Sequence, residues 1–167
     1  KFQPPNVLVT PITTRTQIWP PCIEQVPDSA ISNRSVQLIY KPEREKIEKI
    51  VKEKNITTLY HFTDKDNLAS ITKHQGLYSW PECEKRGIEI RNPGGNETSR
   101  ELELRKNIED YVHISFSKIH PMMLRLRNTV SGFQPYIISI DPEVLYFNNT
   151  LFSDKNATDN EASIGSD

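Results

Sequence analysis

Residues 57–63, Thr-Thr-Leu-Tyr-His-Phe-Thr, run into residues 64–76, Asp-Lys-Asp-Asn-Leu-Ala-Ser-Ile-Thr-Lys-His-Gln-Gly. The first stretch is β-branched and aromatic and reads as a strand, with His61 where a core strand ordinarily carries an apolar side chain. The second opens on capping residues, sets Leu68 and Ile71 on one face and closes on a glycine, as a short helix does. A strand, a polar turn and a helix are thus expected around one histidine. Residues 111–117 and 135–140 read as further strands, the second ended by Asp141-Pro142, and residues 145–152 as a third. Few helices and several short, non-alternating strands indicate an α+β domain and not a regular βαβ series.

The flanking segments differ in character. Residues 1–40 hold six of the twelve prolines (Pro4, Pro5, Pro11, Pro20, Pro21 and Pro27) without a sustained period, and predict an extended arm or linker packed on something else. Residues 43–54 set Ile47, Ile50 and Val51 at helical spacing among alternating lysines and glutamates, which predicts a surface helix with one apolar stripe. Residues 81–105 are polar and contain Asn92-Pro-Gly-Gly-Asn96, a turn cluster that predicts a long loop, and loops of that length tend to be functional.

Length and composition narrow the functional classes. The 167 residues, 35% hydrophobic, suffice for one core. With 21 basic and 22 acidic residues, bulk charge advertises neither nucleic acid nor membrane, so any such contact must come from a local patch. No apolar run approaches the ~18 residues of a membrane span, and a cytoplasmic setting is expected. Cys22 and Cys83 match no zinc or disulfide spacing, and the four histidines show no metal pattern, so no metal is expected. Sequons begin at Asn33, Asn55, Asn96, Asn148 and Asn156, where richness in Asn, Ser and Thr is the simpler explanation.

Four blocks in order carry a resemblance: residues 60–71, Tyr-His-Phe-Thr-Asp-Lys-Asp-Asn-Leu-Ala-Ser-Ile; residues 98–102, Thr-Ser-Arg-Glu-Leu; residues 110–123, Asp-Tyr-Val-His-Ile-Ser-Phe-Ser-Lys-Ile-His-Pro-Met-Met; and residues 152–157, Phe-Ser-Asp-Lys-Asn-Ala. Together they resemble the DarT family of DNA-modifying ADP-ribosyltransferases, which attach ADP-ribose from NAD to thymidine in single-stranded DNA. The resemblance implies an ADP-ribosyltransferase-like split β-sheet around an NAD cleft, in a domain over residues 41–167 that lacks its C-terminal strands. It implies that His61 bonds a ribose hydroxyl of NAD and that Thr63 helps hold the nucleotide. It makes Arg100 the catalytic arginine, and Phe116, with Ser115 and Tyr111, the wall on which nicotinamide stacks. Asp154 and Asn156 would lie near the acceptor nucleotide, and an antitoxin that removes the modification would be a partner. The family's catalytic glutamate lies on a later strand, and Glu161 is the carboxylate of that type after the last block.

Ordinary roles remain open for these residues. His61 can be a satisfied core histidine, Arg100 can pair on the surface with Glu97 or Glu103, and His113 and His120 need do nothing. Lys118, His120, Arg125 and Arg127 lie near Phe116 and Phe133 in sequence, as a single-strand groove requires. Equally, Met122, Met123, Leu124 and Leu126 can be the buried side of a helix whose arginines face solvent. Other acceptors, RNA or protein, simple NAD hydrolysis, and a non-catalytic NAD- or nucleic-acid-binding module are the alternative functions.

Overall fold

A computed structural model describes residues 6–9, 12–13 and 39–166. The organising strand is β1, Asn6–Val9, which lies inside the sheet. Val7 and Val9 enter the main core on one face, while Leu8 packs with Ile108 and Ala157 on the other. A strand covered on both faces reads as a continuous apolar run, with no alternation to betray it. This stretch of the expected arm is therefore an interior strand of the domain itself; most of residues 1–38, Cys22 and Asn33 among them, lies outside the described residues.

The sheet has the order β6-β3-β5-β1-β7-β8, formed by Pro135–Ile140, Leu59–Asp64, Val112–Ser115, β1, Leu151–Ser153 and Ile164–Gly165. Its pairings are antiparallel, with His61 opposite Ile138 and Tyr60 opposite both Ser139 and Ser115. A small second sheet pairs β2, Ile12–Thr13, with β4, Gly76–Leu77. Helices α1, Arg44–Glu53, α2, Leu68–His74, α3, Trp80–Arg86, α4, Glu97–Arg105, and α5, Pro121–Thr129, complete an α+β architecture. Helix α1 buries Ile47 and Val51 but leaves Ile50 44% exposed, so the expected apolar stripe is narrower than its spacing suggested.

Three local expectations change. The helix after β3 starts as a 3-10 turn, Lys65–Asn67, and ends at Gln75 with φ 53°, while Gly76 belongs to β4. The segment expected as one long loop folds into α3 and α4 around the turn cluster. Its caps explain this: Pro81 sits in the first turn of α3, Gly87 ends it at φ 64°, and the Asn96 side chain accepts from Ser99 N at 3.0 Å to start α4. The third strand shortens to β7, because Pro142–Tyr146 forms a 3-10 turn stabilised by Asp141 accepting from Glu143 N.

Candidate active site

The helices α2, α3 and α4 and the turn at 92–96 stand over strands β3 and β5 and enclose a cavity of about 270 Å³. Residues His61, Thr63, Arg100, Tyr111, Ser115, His120 and Asn156, expected from sequence at a site, all line it. Phe116 packs against the core instead, and does not join the lining. The aromatic surface comes from Tyr60, Phe62, Tyr78, Trp80 and Tyr111. Phe62 stacks on His61 at 6.5 Å and on His120 at 5.5 Å, while Gly94 brings its backbone so close that a Cβ there would sit 3.4 Å from the Phe62 ring.

His61 has a defined tautomer. Its Nδ1 lies 2.9 Å from the His113 carbonyl oxygen, and because a carbonyl only accepts, Nδ1 carries the proton. The lone pair on Nε2 is what the ring offers to a hydroxyl donor. Burial lowers the His61 pKa, against an opposing rise from the bond to His113, so the ring is neutral at pH 7. His120 caps α5: its Nδ1 accepts from Met122 N at 3.2 Å, and burial, helped by His61, lowers its pKa as well.

Arg100 is the one permanent cation among the described residues that line the cavity. Its guanidinium lies 3.3 Å from the centroid of Trp80, whose indole Nε1 donates to Glu84 at 2.6 Å. The indole face thus carries the cation, and the bond to Glu84 orients the ring. Thr63 is fixed too, its Oγ1 accepting from Asn67 Nδ2 at 3.1 Å; buried Asn67 also donates to Arg91 O at 2.8 Å and accepts from Arg91 N at 2.7 Å.

The remaining expected residues divide. Lys118 and Arg125 are exposed and outside the lining; α5 has its arginines in solvent and, of the four apolar residues expected on its buried side, buries Met123 fully, while Met122 lines the cavity. Asp154 accepts from Ser163 N at 3.0 Å, a structural bond within the β7–β8 connection. Glu161 is not brought to the cavity: its side chain is 86% exposed and paired with Lys155 at 3.4 Å. Asn156 does reach the lining with Thr158, on a turn that Lys106 ties to the end of α4 by donating to Ala157 O and Asp159 O. Glu103, His113 and Trp80 line the cavity without having been singled out for it. The i, i+3 spacing of Arg100 and Glu103 was the legible clue, since it puts both on one helix face.

The family described as "ssDNA thymidine ADP-ribosyltransferase, DarT" matches residues 60–167. The chain belongs to the DarT family. No curated protein and no solved structure matches it. Proteins of the DarT family use NAD as substrate, and ADP-ribosyl transfer is the activity the membership implies in general terms. The matched span runs from Tyr60, the second residue of β3, through β8 and includes each of the cavity residues named above. Among the described residues, no helix is long and apolar enough to cross a membrane, and no cluster of three or more His, Cys, Asp or Glu could hold a metal ion.

Proposed function

We propose that this cavity binds NAD and transfers its ADP-ribose to thymidine in single-stranded DNA. The observation that carries the reading is the convergence of His61 and Arg100, from distant segments, on one aromatic-lined cavity whose described lining holds a single permanent cation. The six-stranded sheet, with the helices over β3 and β5, is then the clasp of an ADP-ribosyltransferase. NAD supplies an activated sugar, since nicotinamide is a leaving group on the ribose. The protein's part is positioning and charge. His61 Nε2 accepts from a ribose hydroxyl, Thr63 and Asn67 hold the nucleotide's edge, and Arg100 neutralises the diphosphate. Tyr111 and the Phe62 group offer planar surfaces for the nicotinamide ring, in place of Phe116. Asn156 and Thr158 stand at the rim where an acceptor nucleotide would enter, with exposed Lys118 and Arg125 available to its phosphates. A protein that removes the modification is the partner this reading entails.

The test is to incubate the chain with NAD and a mixed-sequence single-stranded oligonucleotide and weigh the DNA. An adduct of one ADP-ribose on thymidine is expected, and an adduct found only on RNA or protein, or free ADP-ribose without any adduct, would refute the acceptor. His61→Ala is expected to weaken NAD binding by calorimetry about five- to thirty-fold, for the loss of about 1–2 kcal/mol of hydrogen bonding. Trp80→Ala should lower kcat/KM about five- to thirty-fold, because the stacking that holds Arg100 contributes about 1–2 kcal/mol. Trp80→Phe should recover most of it; an unchanged kcat/KM in Trp80→Ala would show that the platform is irrelevant, and equal losses in both variants that the aromatic face is not what holds Arg100.

A further inference from the structure

Two carboxyls are found among the described residues that line the cavity, Glu89 and Glu103, and they differ in setting. Glu89 is exposed and ion-paired with Arg91 at 3.6 Å. Glu103 is only 20% exposed, sits one helical turn beyond Arg100, and points its Oε1 at His113 Nε2 across 3.5 Å. That nitrogen is buried and finds no hydrogen-bond partner among the described residues. A buried ring nitrogen with no other partner, facing a half-buried carboxyl inside a ligand cavity, calls for an explanation that a surface ion pair does not give. The backbone of the same residue, His113, receives the proton of His61 Nδ1, so the carboxyl, the orphan nitrogen and the ring that would meet the ribose form one connected group.

We propose that Glu103 accepts the proton released by the acceptor group during transfer, with His113 Nε2 facing its carboxyl at 3.5 Å. This rests on the reading of the cavity as an ADP-ribosyl transfer site. In the step, the bond from the ribose carbon to the nicotinamide nitrogen breaks and its electron pair leaves with nicotinamide. The acceptor base nitrogen forms a bond to the same carbon, and the proton it sheds passes to the Glu103 carboxylate. Thymine in DNA carries one ring N–H, because its other ring nitrogen bears the sugar, and that N–H needs a base stronger than an ordinary surface carboxylate.

The groups around Glu103 favour this use. Burial raises its pKa to about 7, Arg100 on the same helix lowers it, and Glu109 in the following loop raises it. His113 is pushed down to about 4 by burial, then by His61 on β3 and His120 at the start of α5. His113 therefore stays neutral through the working range, and Glu103 is the member of the facing pair that titrates within it. A carboxyl poised there is ionised above about pH 7 and still basic enough to take a proton.

Single-turnover transfer from saturating NAD to a thymidine-containing oligonucleotide, followed from pH 5.5 to 9, tests the proposal. The wild type should accelerate up to about pH 7 and then level. Glu103→Gln should slow transfer at pH 8 by about a hundredfold or more, lose that pH dependence, and keep NAD affinity within about threefold. Glu103→Asp should restore part of the rate with a lower midpoint. Transfer by Glu103→Gln within threefold of wild type at the same midpoint would overturn the proposal and leave the proposed function standing. A parallel loss of NAD affinity and rate would overturn it in favour of a structural role. Carboxyl carbon NMR of the labelled protein supplies a readout apart from activity: a Glu103 resonance titrating below pH 5 overturns the proposal, and one near 7 supports it. A wild type that makes no adduct at any pH, with Glu103 titrating near 7, sinks the transfer reading itself and the proton role with it.

Discussion

Arg100→Ala is expected to lower ADP-ribose transfer about 10²–10³-fold, as removal of a preorganised electrostatic group from a partly enclosed site does. Arg100 is the sole permanent cation among the described lining residues, so in the proposed binding mode none of them replaces it beside the diphosphate. Its position costs little reorganisation, since the Asn96 cap fixes the start of α4 and the Trp80 ring holds the guanidinium at 3.3 Å. Arg100→Lys should recover less than a tenth of the activity, because an ammonium neither stacks flat on the indole nor presents a planar fork. The exposed i, i+4 partner positions of α4 carry no comparable weight, and Arg105→Ala, which breaks only a 4.0 Å surface pair with Glu101, should leave transfer unchanged. Mass spectrometry of the oligonucleotide under single-turnover conditions checks all three variants. If Arg100→Ala transfers within tenfold of wild type at saturating NAD, Arg100 is not the group that stabilises the reacting charge.

Asp64→Ala should destabilise the fold by about 3 kcal/mol, because three donors lose the buried acceptor they share. The Asp64 carboxylate is 1% exposed, at the end of β3, and accepts from Asp66 N at 2.9 Å, Gln134 N at 3.1 Å and Asn92 Nδ2 at 3.1 Å. It thereby ties the strand of His61 to the approach of β6 and to the turn that launches the helix of Arg100. In a chain of this size the loss corresponds to about 6–12 °C in Tm, and urea denaturation measures it directly. Burial opposes ionisation of this carboxyl, but the three donations outweigh it and hold its pKa below the ordinary value. Its contribution is therefore complete above an unfolded pKa of about 4 and disappears as the pH falls through the lower folded value. Asp64→Ala should flatten the acid limb of the stability curve, and an unchanged limb would show that the bonds are not made in solution. Asp64→Asn, which keeps one acceptor oxygen, should fall between the two.

How much of this was legible varies with the kind of signal. Strands β3, β5 and β6 follow from β-branched and aromatic runs with turn residues at their ends, and α1 from its spacing and charges. Strand β1 was hidden, because Val7, Leu8 and Val9, buried on both faces, have no period and sit among prolines. The two helices at 80–86 and 97–105 were masked by the turn between them, although their caps, Pro81 and Asn96, were in plain view. Phe116 and Glu161 were matched to roles by order along the chain. Order does not say which way a side chain leaves the backbone, and Phe116 packs on the core while Glu161 faces solvent.

Sequence by itself determined the membership in the DarT family, the α+β class, and the identity of His61, Thr63 and Arg100 as the residues to watch. Those are properties of local pattern and of blocks in linear order. Tertiary structure alone decided that Arg100 rests on Trp80, that His61 offers its Nε2, and that Glu103 meets the buried nitrogen of His113. These partners are set by how α3, α4, β3 and β5 pack around one cavity. Contacts between elements far apart in the chain depend on the few ångströms and degrees of that packing, and no spacing within a single element encodes them.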